Sequence, residues 1–110
     1  MPVTVSRSGG FAGGAETIAV RADGSWTRKG SGSPRSGSLT AEQRNRLWSL
    51  LGDPRLAGEA GTHQRQGCAD TYEWTVAAGS TKVDYTECLA PANRPPVAAA
   101  VAELVDTATR

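Results

Sequence analysis

The first third of the chain alternates apolar and polar residues, which is the pattern of half-buried strands. The alternation predicts three strands, at Met1–Ser8, Glu16–Arg21 and Ser25–Lys29. Asp23-Gly24, between the second and third strands, is typical of a tight hairpin turn. The N-terminal part of the chain is therefore predicted to form an antiparallel meander.

A second alternating region predicts a hairpin of Thr71–Val76 with Thr81–Glu87, turning at Ala78-Gly79. The register that best matches apolar positions places Trp74 opposite Val83. Apolar side chains then meet across the two strands, which stabilises one face of a sheet.

Two stretches have the spacing of amphipathic helices. Thr40-Ala41-Glu42-Gln43 matches the capping box, and a helix is predicted from there to about Leu51. Pro95 and Pro96 suit the first turn of a second helix, where their missing N–H groups cost nothing. Its predicted core face consists of apolar residues at helical spacing: Val97, Val101, Leu104, Val105 and Ala108.

The remaining stretches are predicted to be irregular. Gly30–Ser38 is rich in glycine and serine, as flexible loops are, and Arg55–Gly67 shows no clear period. The predicted order is β-β-β-α-β-β-α, and the predicted fold class is α+β, an antiparallel sheet with both helices packed on one face. We expect residues 1–110 to form a single domain, given their number.

Composition narrows the possible partners. The formal net charge is only +1, which argues against a general nucleic-acid binder. No apolar run approaches the roughly 18 residues that a membrane-spanning helix needs. The N-terminal residues lack the basic-then-apolar pattern of a signal peptide. We therefore expect a cytoplasmic protein that binds neither nucleic acid nor membrane and is a monomer when free.

Cys68 and Cys88 flank the predicted hairpin and leave two interpretations open. A strict ladder in the predicted register would point the two sulfurs to opposite faces, so a disulfide requires a bulge or the end of regular pairing. A bridge would favour an extracellular, oxidising compartment. The alternative is a pair of buried free thiols.

His63 is the only histidine, and it lies in a polar segment. No second pair of ligand-type residues stands at zinc spacing, so we expect no metal and no cofactor. Neither His63 nor Cys68 has a recognisable base, orienting group and oxyanion site to work with, so no catalytic residue is assigned and the protein is not expected to be an enzyme.

The sequence Arg-Ser-Gly-Gly-Phe-Ala-Gly-Gly at residues 7–14 is the strongest candidate for a functional site. Phe11 is the only phenylalanine in the chain and stands between two glycine pairs. Either it is displayed to a partner's pocket, or it folds back to cap the core. A phosphate-binding loop is excluded because a strand, and not a helix, is predicted to follow.

The strand that runs into Arg-Ser-Gly-Gly-Phe-Ala-Gly resembles the emfourin family, proteinaceous inhibitors of thermolysin-like metalloproteases. The strand at residues 70–76 and the Pro-x-x-Arg-Pro segment before the last helix are also similar to that family. Cys68, Cys88 and the long loop at residues 30–38 are departures from it.

The resemblance implies a non-enzymatic inhibitor whose glycine-rich loop enters the cleft of a thermolysin-like metalloprotease. Phe11 would be the apolar anchor, and the glycines would let the backbone approach the enzyme. Arg7 would either pair with an enzyme carboxylate or brace the loop internally. The alternative is a non-inhibitory module that binds a protein or peptide through the same loop. The implied protease-binding residues are Arg7, Ser8, Gly9, Gly10, Phe11, Ala12 and Gly13.

Overall fold

The computed structural model describes residues 2–10 and 14–110. Their architecture is α+β, with seven strands in one mixed sheet and three α-helices. The strands are β1 (Val3–Gly9), β2 (Gly14–Val20), β3 (Ser25–Lys29), β4 (Arg35–Ser38), β5 (Gly61–His63), β6 (Tyr72–Ala78) and β7 (Thr81–Thr86). The helices are α1 (Ala41–Leu51), α2 (Arg55–Gly58) and α3 (Pro96–Ala108), and a 3-10 turn covers Pro91–Asn93.

The strands lie in the order β4-β3-β2-β1-β6-β7-β5. All neighbours are antiparallel except β5, which runs parallel to β7. The α+β class is confirmed, but the expectation of a purely antiparallel sheet with two helices is wrong. The chain leaves β5, passes the end of β7 to form β6, and then returns as β7, so β5 and β7 point the same way.

Both regions predicted to be irregular contain regular structure. β4 occupies the second half of the glycine- and serine-rich segment, and α2 and β5 lie within Arg55–Gly67. Gly37 of β4 packs against the indole of Trp26, where an added Cβ would stand 2.7 Å from Cζ2. Composition predicts a loop there, but the missing side chain lets the backbone come close enough to pair with β3.

The hairpin of β6 and β7 has a different register from the one predicted. Trp74 lies opposite Tyr85, and Val76 lies opposite Val83. The turn therefore falls one residue later than expected, at Gly79-Ser80, where Gly79 takes a positive φ of 58°. Since the slip is two residues, every side chain keeps its predicted face.

One face of the sheet packs against the helices and is called the inner face here. The capping box predicted at Thr40 and Gln43 is confirmed at the start of α1. The predicted core face of α3 is confirmed at Val97, Val101 and Val105. The apolar core consists of buried side chains from both layers, among them Val3, Val5, Ile18, Val20, Val76, Val83, Leu47, Leu51 and Leu56.

The inner face changes character along the strands. On β1 the buried Val5 is followed two residues later by Arg7, and on β2 Ile18 is preceded by Glu16 at the same spacing. On β3 the step is from Trp26 to Arg28. One end of the inner face is therefore charged. At this end β1 runs into residues 9–14, which we call the glycine-rich segment.

Candidate binding site

The end of β1 has a backbone that only glycine suits. Gly9 and Gly10 have φ values of +88° and +75°, in the left-handed region. A Cβ on Gly9 would stand 2.8 Å from the carbonyl oxygen of Thr71, and one on Gly10 would stand 2.6 Å from Cε1 of Tyr72. Both conformation and space therefore require glycine at these two positions.

Two backbone contacts fix the ends of the glycine-rich segment. Gly9 is paired with Gly14 across β1 and β2. The N–H of Gly10 donates to the carbonyl oxygen of Thr71 at 3.0 Å. The segment thus starts beside the residue that precedes β6, where Gly10 bonds to Thr71, and finishes on β2, where Gly14 pairs with Gly9.

The structure brings Arg7, Ser8, Gly9 and Gly10 of the predicted site together at this end of the sheet. Ser8 is exposed on the opposite face of β1, between Ala15 and Glu73 of the neighbouring strands. The remaining predicted residues, Phe11, Ala12 and Gly13, lie outside the described residues.

Arg7 is engaged within the protein. Its guanidinium donates to Oε1 of Glu16 in an ion pair. The same group stacks 4.4 Å from the ring centroid of Tyr72 and 5.6 Å from that of Trp74. Of the two roles considered for Arg7, the described contacts are those of an internal brace for the start of the glycine-rich segment.

Arg28 connects this end of the sheet to α3. It is 5% exposed, and its Nε donates to Oε2 of Glu16 at 2.7 Å. Its Nη2 lies 2.9 Å from Oδ1 of Asp106, and its Nη1 donates to the Asp106 carbonyl and the Thr109 hydroxyl. A cation at a helix C-terminus also interacts favourably with the helix dipole.

The shared carboxylate of Glu16 stays ionised. The hydrogen bond from Arg28 is the main cause that lowers the pKa of Glu16, and the charges of Arg28 and Arg7 add to it. The bond to Glu16 in turn is the main cause that raises the pKa of Arg28. Salt bridges thus connect Arg7 to Glu16, Glu16 to Arg28 and Arg28 to Asp106, and we call this set of residues the ionic chain.

A disulfide joins Cys68 to Cys88, with Cα atoms 6.1 Å apart. Regular pairing of β6 with β7 stops at Glu73 and Thr86, so both cysteines lie beyond the ladder. The bridge is thus formed where regular pairing has ended. In the predicted register, a disulfide between these two cysteines required either this or a bulge. The bridge borders the segment whose Thr71 carbonyl accepts the Gly10 N–H.

A cleft of about 140 Å³ opens beside the glycine-rich segment. Its walls combine the ion pair with backbone and a tyrosine ring, and its lining residues are Arg7, Gly9, Gly14, Ala15, Glu16, Ser31 and Tyr72. Sequence reasoning missed Glu16, Arg28 and Tyr72 as neighbours of the site. Only the position of Glu16, in the strand that returns from the glycine-rich segment, could have linked it to Arg7.

His63 has a structural contact. It lies on β5, and its Nε2 is 2.7 Å from the carbonyl oxygen of Glu59. The buried Glu59 carboxylate in turn accepts the N–H groups of Val97 and Ala98 at the start of α3. Within residues 2–10 and 14–110, no three His, Cys, Asp or Glu side chains cluster as a metal site would require.

None of the helices in the described part of the chain is long and apolar enough to cross a membrane. No protein-family model matches the chain, and the search of curated proteins gave no match. The features of the chain that bear on its function are therefore the glycine-rich segment and the residues that support it.

Proposed function

We propose that this protein is a non-enzymatic inhibitor of a thermolysin-like zinc metalloprotease, and that residues 7–13 enter the active-site cleft of the enzyme. The observation that carries the proposal is the construction of Gly9 and Gly10. Their left-handed conformation, which glycine permits, gives the backbone its direction immediately before Phe11, and the pairing of Gly9 with Gly14 and the bond from Gly10 to Thr71 hold it there. The resemblance of residues 7–13 to the emfourin family supplies the kind of target.

In this proposal Phe11 fills the apolar pocket that follows the scissile-bond position, and the adjacent glycines allow main-chain hydrogen bonds to the edge of the cleft. An inhibitor of this kind must resist cleavage, so its loop must not relax into a substrate conformation. Two contacts favour such a fixed loop: the Gly10 N–H donates to the Thr71 carbonyl, and Arg7 forms an ion pair with Glu16. Pre-organisation of the loop also lowers the entropy lost on binding.

The disulfide bears on where the inhibitor meets its target. Disulfides persist in oxidising compartments and are rare in the reducing cytoplasm. With Cys68 and Cys88 bridged, the proposal favours an extracellular protease as the target, in place of the cytoplasmic location expected from the N-terminal residues.

The proposal is tested by titrating the purified protein into a thermolysin-like protease and measuring residual peptidase activity. The wild-type protein should inhibit stoichiometrically. Phe11→Ala should weaken binding by about 2–4 kcal/mol if Phe11 is a hot-spot anchor. Lys82→Ala serves as the matched control, because Lys82 is an exposed residue of β7 away from the glycine-rich segment, and it should inhibit like the wild type.

Equal inhibition by the Phe11→Ala protein would contradict the assignment of the loop. Absence of inhibition across a panel of thermolysin-like proteases would contradict the function. In that case, capture of a non-protease partner that is lost on Phe11→Ala would favour the alternative, a protein- or peptide-binding module that uses the same loop.

A further inference from the structure

Tyr72 stands out among the aromatic side chains of the described residues. Trp26, Trp74 and Tyr85 are buried, whereas Tyr72 is 37% exposed and is the one large hydrophobic side chain in residues 2–10 and 14–110 that is exposed. It is the first residue of β6 and lies opposite Gly9 in the register with β1. An exposed tyrosine thus adjoins the backbone of the candidate binding loop.

The ring of Tyr72 is held in place. The Arg7 guanidinium lies over the ring at 4.4 Å, and the backbone of Gly10 approaches the ring so closely that a Cβ there would clash with it. Arg7 is itself fixed by its ion pair with Glu16. A ring held in this way loses little conformational freedom when a partner covers it, which is the condition for a strong contact at an interface.

The surroundings of Tyr72 also suit a partner. Tyr72 lines the cleft of about 140 Å³, together with Gly14 and Ser31. Tyrosine presents an apolar ring and a hydroxyl group together, and it is among the residues most enriched at binding hot spots.

We infer that Tyr72 is a second contact residue of the inhibitor, next to the loop anchored by Phe11. Its ring packs against an apolar side chain at the rim of the protease cleft, and its hydroxyl group donates to a backbone carbonyl there. This inference rests on the proposed function, because the partner is the same protease.

The test uses the two tyrosines of the chain as reporters. Tetranitromethane nitrates exposed phenolate rings, and the chain has only Tyr72 and Tyr85. Tyr85 is 4% exposed, and burial raises its pKa, so it stays neutral and shielded. In the free inhibitor, nitration mapped by mass spectrometry should occur at Tyr72. In the complex with the protease, Tyr72 should be protected at least several-fold.

Two variants accompany the footprint. Tyr72→Ala should raise the inhibition constant about 10- to 30-fold, as expected for loss of a hot-spot side chain. Tyr72→Phe keeps the ring and its stacking on Arg7, so it should lose only the part due to the hydroxyl group, a few-fold. Urea unfolding of both variants separates loss of contact from loss of fold, and the footprint on the wild-type protein needs neither variant.

The possible results separate the inference from the function. Inhibition by the wild type, with nitration of Tyr72 at the same rate in the complex as in the free protein, would overturn the inference and leave the inhibitor function standing. Protection of Tyr72 together with weaker inhibition by Tyr72→Ala would establish it. If the wild-type protein inhibits no thermolysin-like protease, the proposed function fails and the inference fails with it.

Discussion

The two ends of the inner face are built from the same strands by different physical means. At one end Val5, Ile18 and Trp26 are buried against the helices, and stability there comes from removing apolar surface from water. Two residues along each strand, Arg7, Glu16 and Arg28 are held by ion pairs and hydrogen bonds.

The two ends should therefore differ in how well they tolerate substitution. An apolar core accepts substitutions of similar volume with modest loss, because burial has no direction. A buried charge must keep its partner, since an unpaired charge in the interior is strongly destabilising. The end that carries the candidate loop is therefore the end where positions are fixed most strictly.

Breaking the ionic chain should have the largest effect. Arg28→Ala leaves Glu16 with Arg7 alone and leaves the buried Asp106 with only the exposed Arg110. We expect a loss of about 3–5 kcal/mol in the free energy of unfolding, because the buried carboxylate of Asp106 loses its buried partner. Urea denaturation measures this loss, and the weakening of protease inhibition should exceed that of an equally destabilised core variant.

Leu47→Ala is that core variant, because Leu47 is fully buried in α1 and its truncation should cost about 2–5 kcal/mol. Where both variants remain folded, Leu47→Ala should inhibit nearly as well as the wild type. Equal loss of inhibition in Arg28→Ala and Leu47→Ala would contradict the idea that the charged end of the inner face supports the candidate loop more than the apolar end does.

Removing the disulfide should have the next largest effect. Cys68 and Cys88 are 20 residues apart in sequence, and for a loop of that length the bridge contributes about 3 kcal/mol. The Cys68→Ser/Cys88→Ser protein should therefore unfold at lower urea concentration than the wild type. Its loss should be concentrated near the site, because the bridge borders the segment that holds Gly10.

Amide hydrogen exchange locates this loss. In the double-serine protein, the Gly10 N–H, which donates to Thr71, should exchange much faster than before, while the amide of the buried Val5 should follow global stability. A uniform acceleration of both amides would show that the bridge supports the fold as a whole and not the charged end in particular.

Acid should produce the smallest effect. The folded state lowers the pKa of Glu16 below its ordinary value of 4.5, so its contribution to stability is complete above about pH 4.5 and is lost as the pH falls through the folded-state pKa. The pKa values of Asp23 and Asp53 are also lowered in the folded state, so their contributions to the stability of the fold are likewise lost as the pH falls.

The control for the acid effect is Glu16→Gln, measured by urea denaturation between pH 6 and pH 3. This variant should be less stable than the wild type at pH 6, and its stability should fall less steeply with acid. Parallel stability profiles for the two proteins would show that Glu16 contributes nothing to the acid sensitivity.

The repeating patterns of the chain were sufficient to predict its main elements. The third strand at Ser25–Lys29 is confirmed in full, and so is the capping box that starts α1, because both depend on local side-chain spacing. The short strands β4 and β5 could not be predicted. Neither has a period of its own, and each exists because a neighbouring strand offers it hydrogen bonds.

The surroundings of the site were less predictable than its sequence. The glycine pair at residues 9 and 10 points to an unusual backbone, which the structure has. The contact of Arg28 with Asp106 joins residues 78 positions apart, and no local pattern encodes it. Tyr72 lies near Gly10 because β6 pairs with β1. That pairing depends on the packing of the whole sheet and not on the local sequence of either strand.

The shortness of the sheet's two edges bears on how copies of the protein behave toward each other. One edge is β4, four exposed residues that include Arg35, and the other is β5, only three residues long. Unpaired edge strands are templates for sheet-to-sheet aggregation, and proteins limit the risk by keeping them short and charged. Two copies that met edge to edge through β4 or β5 would therefore gain only a few backbone hydrogen bonds.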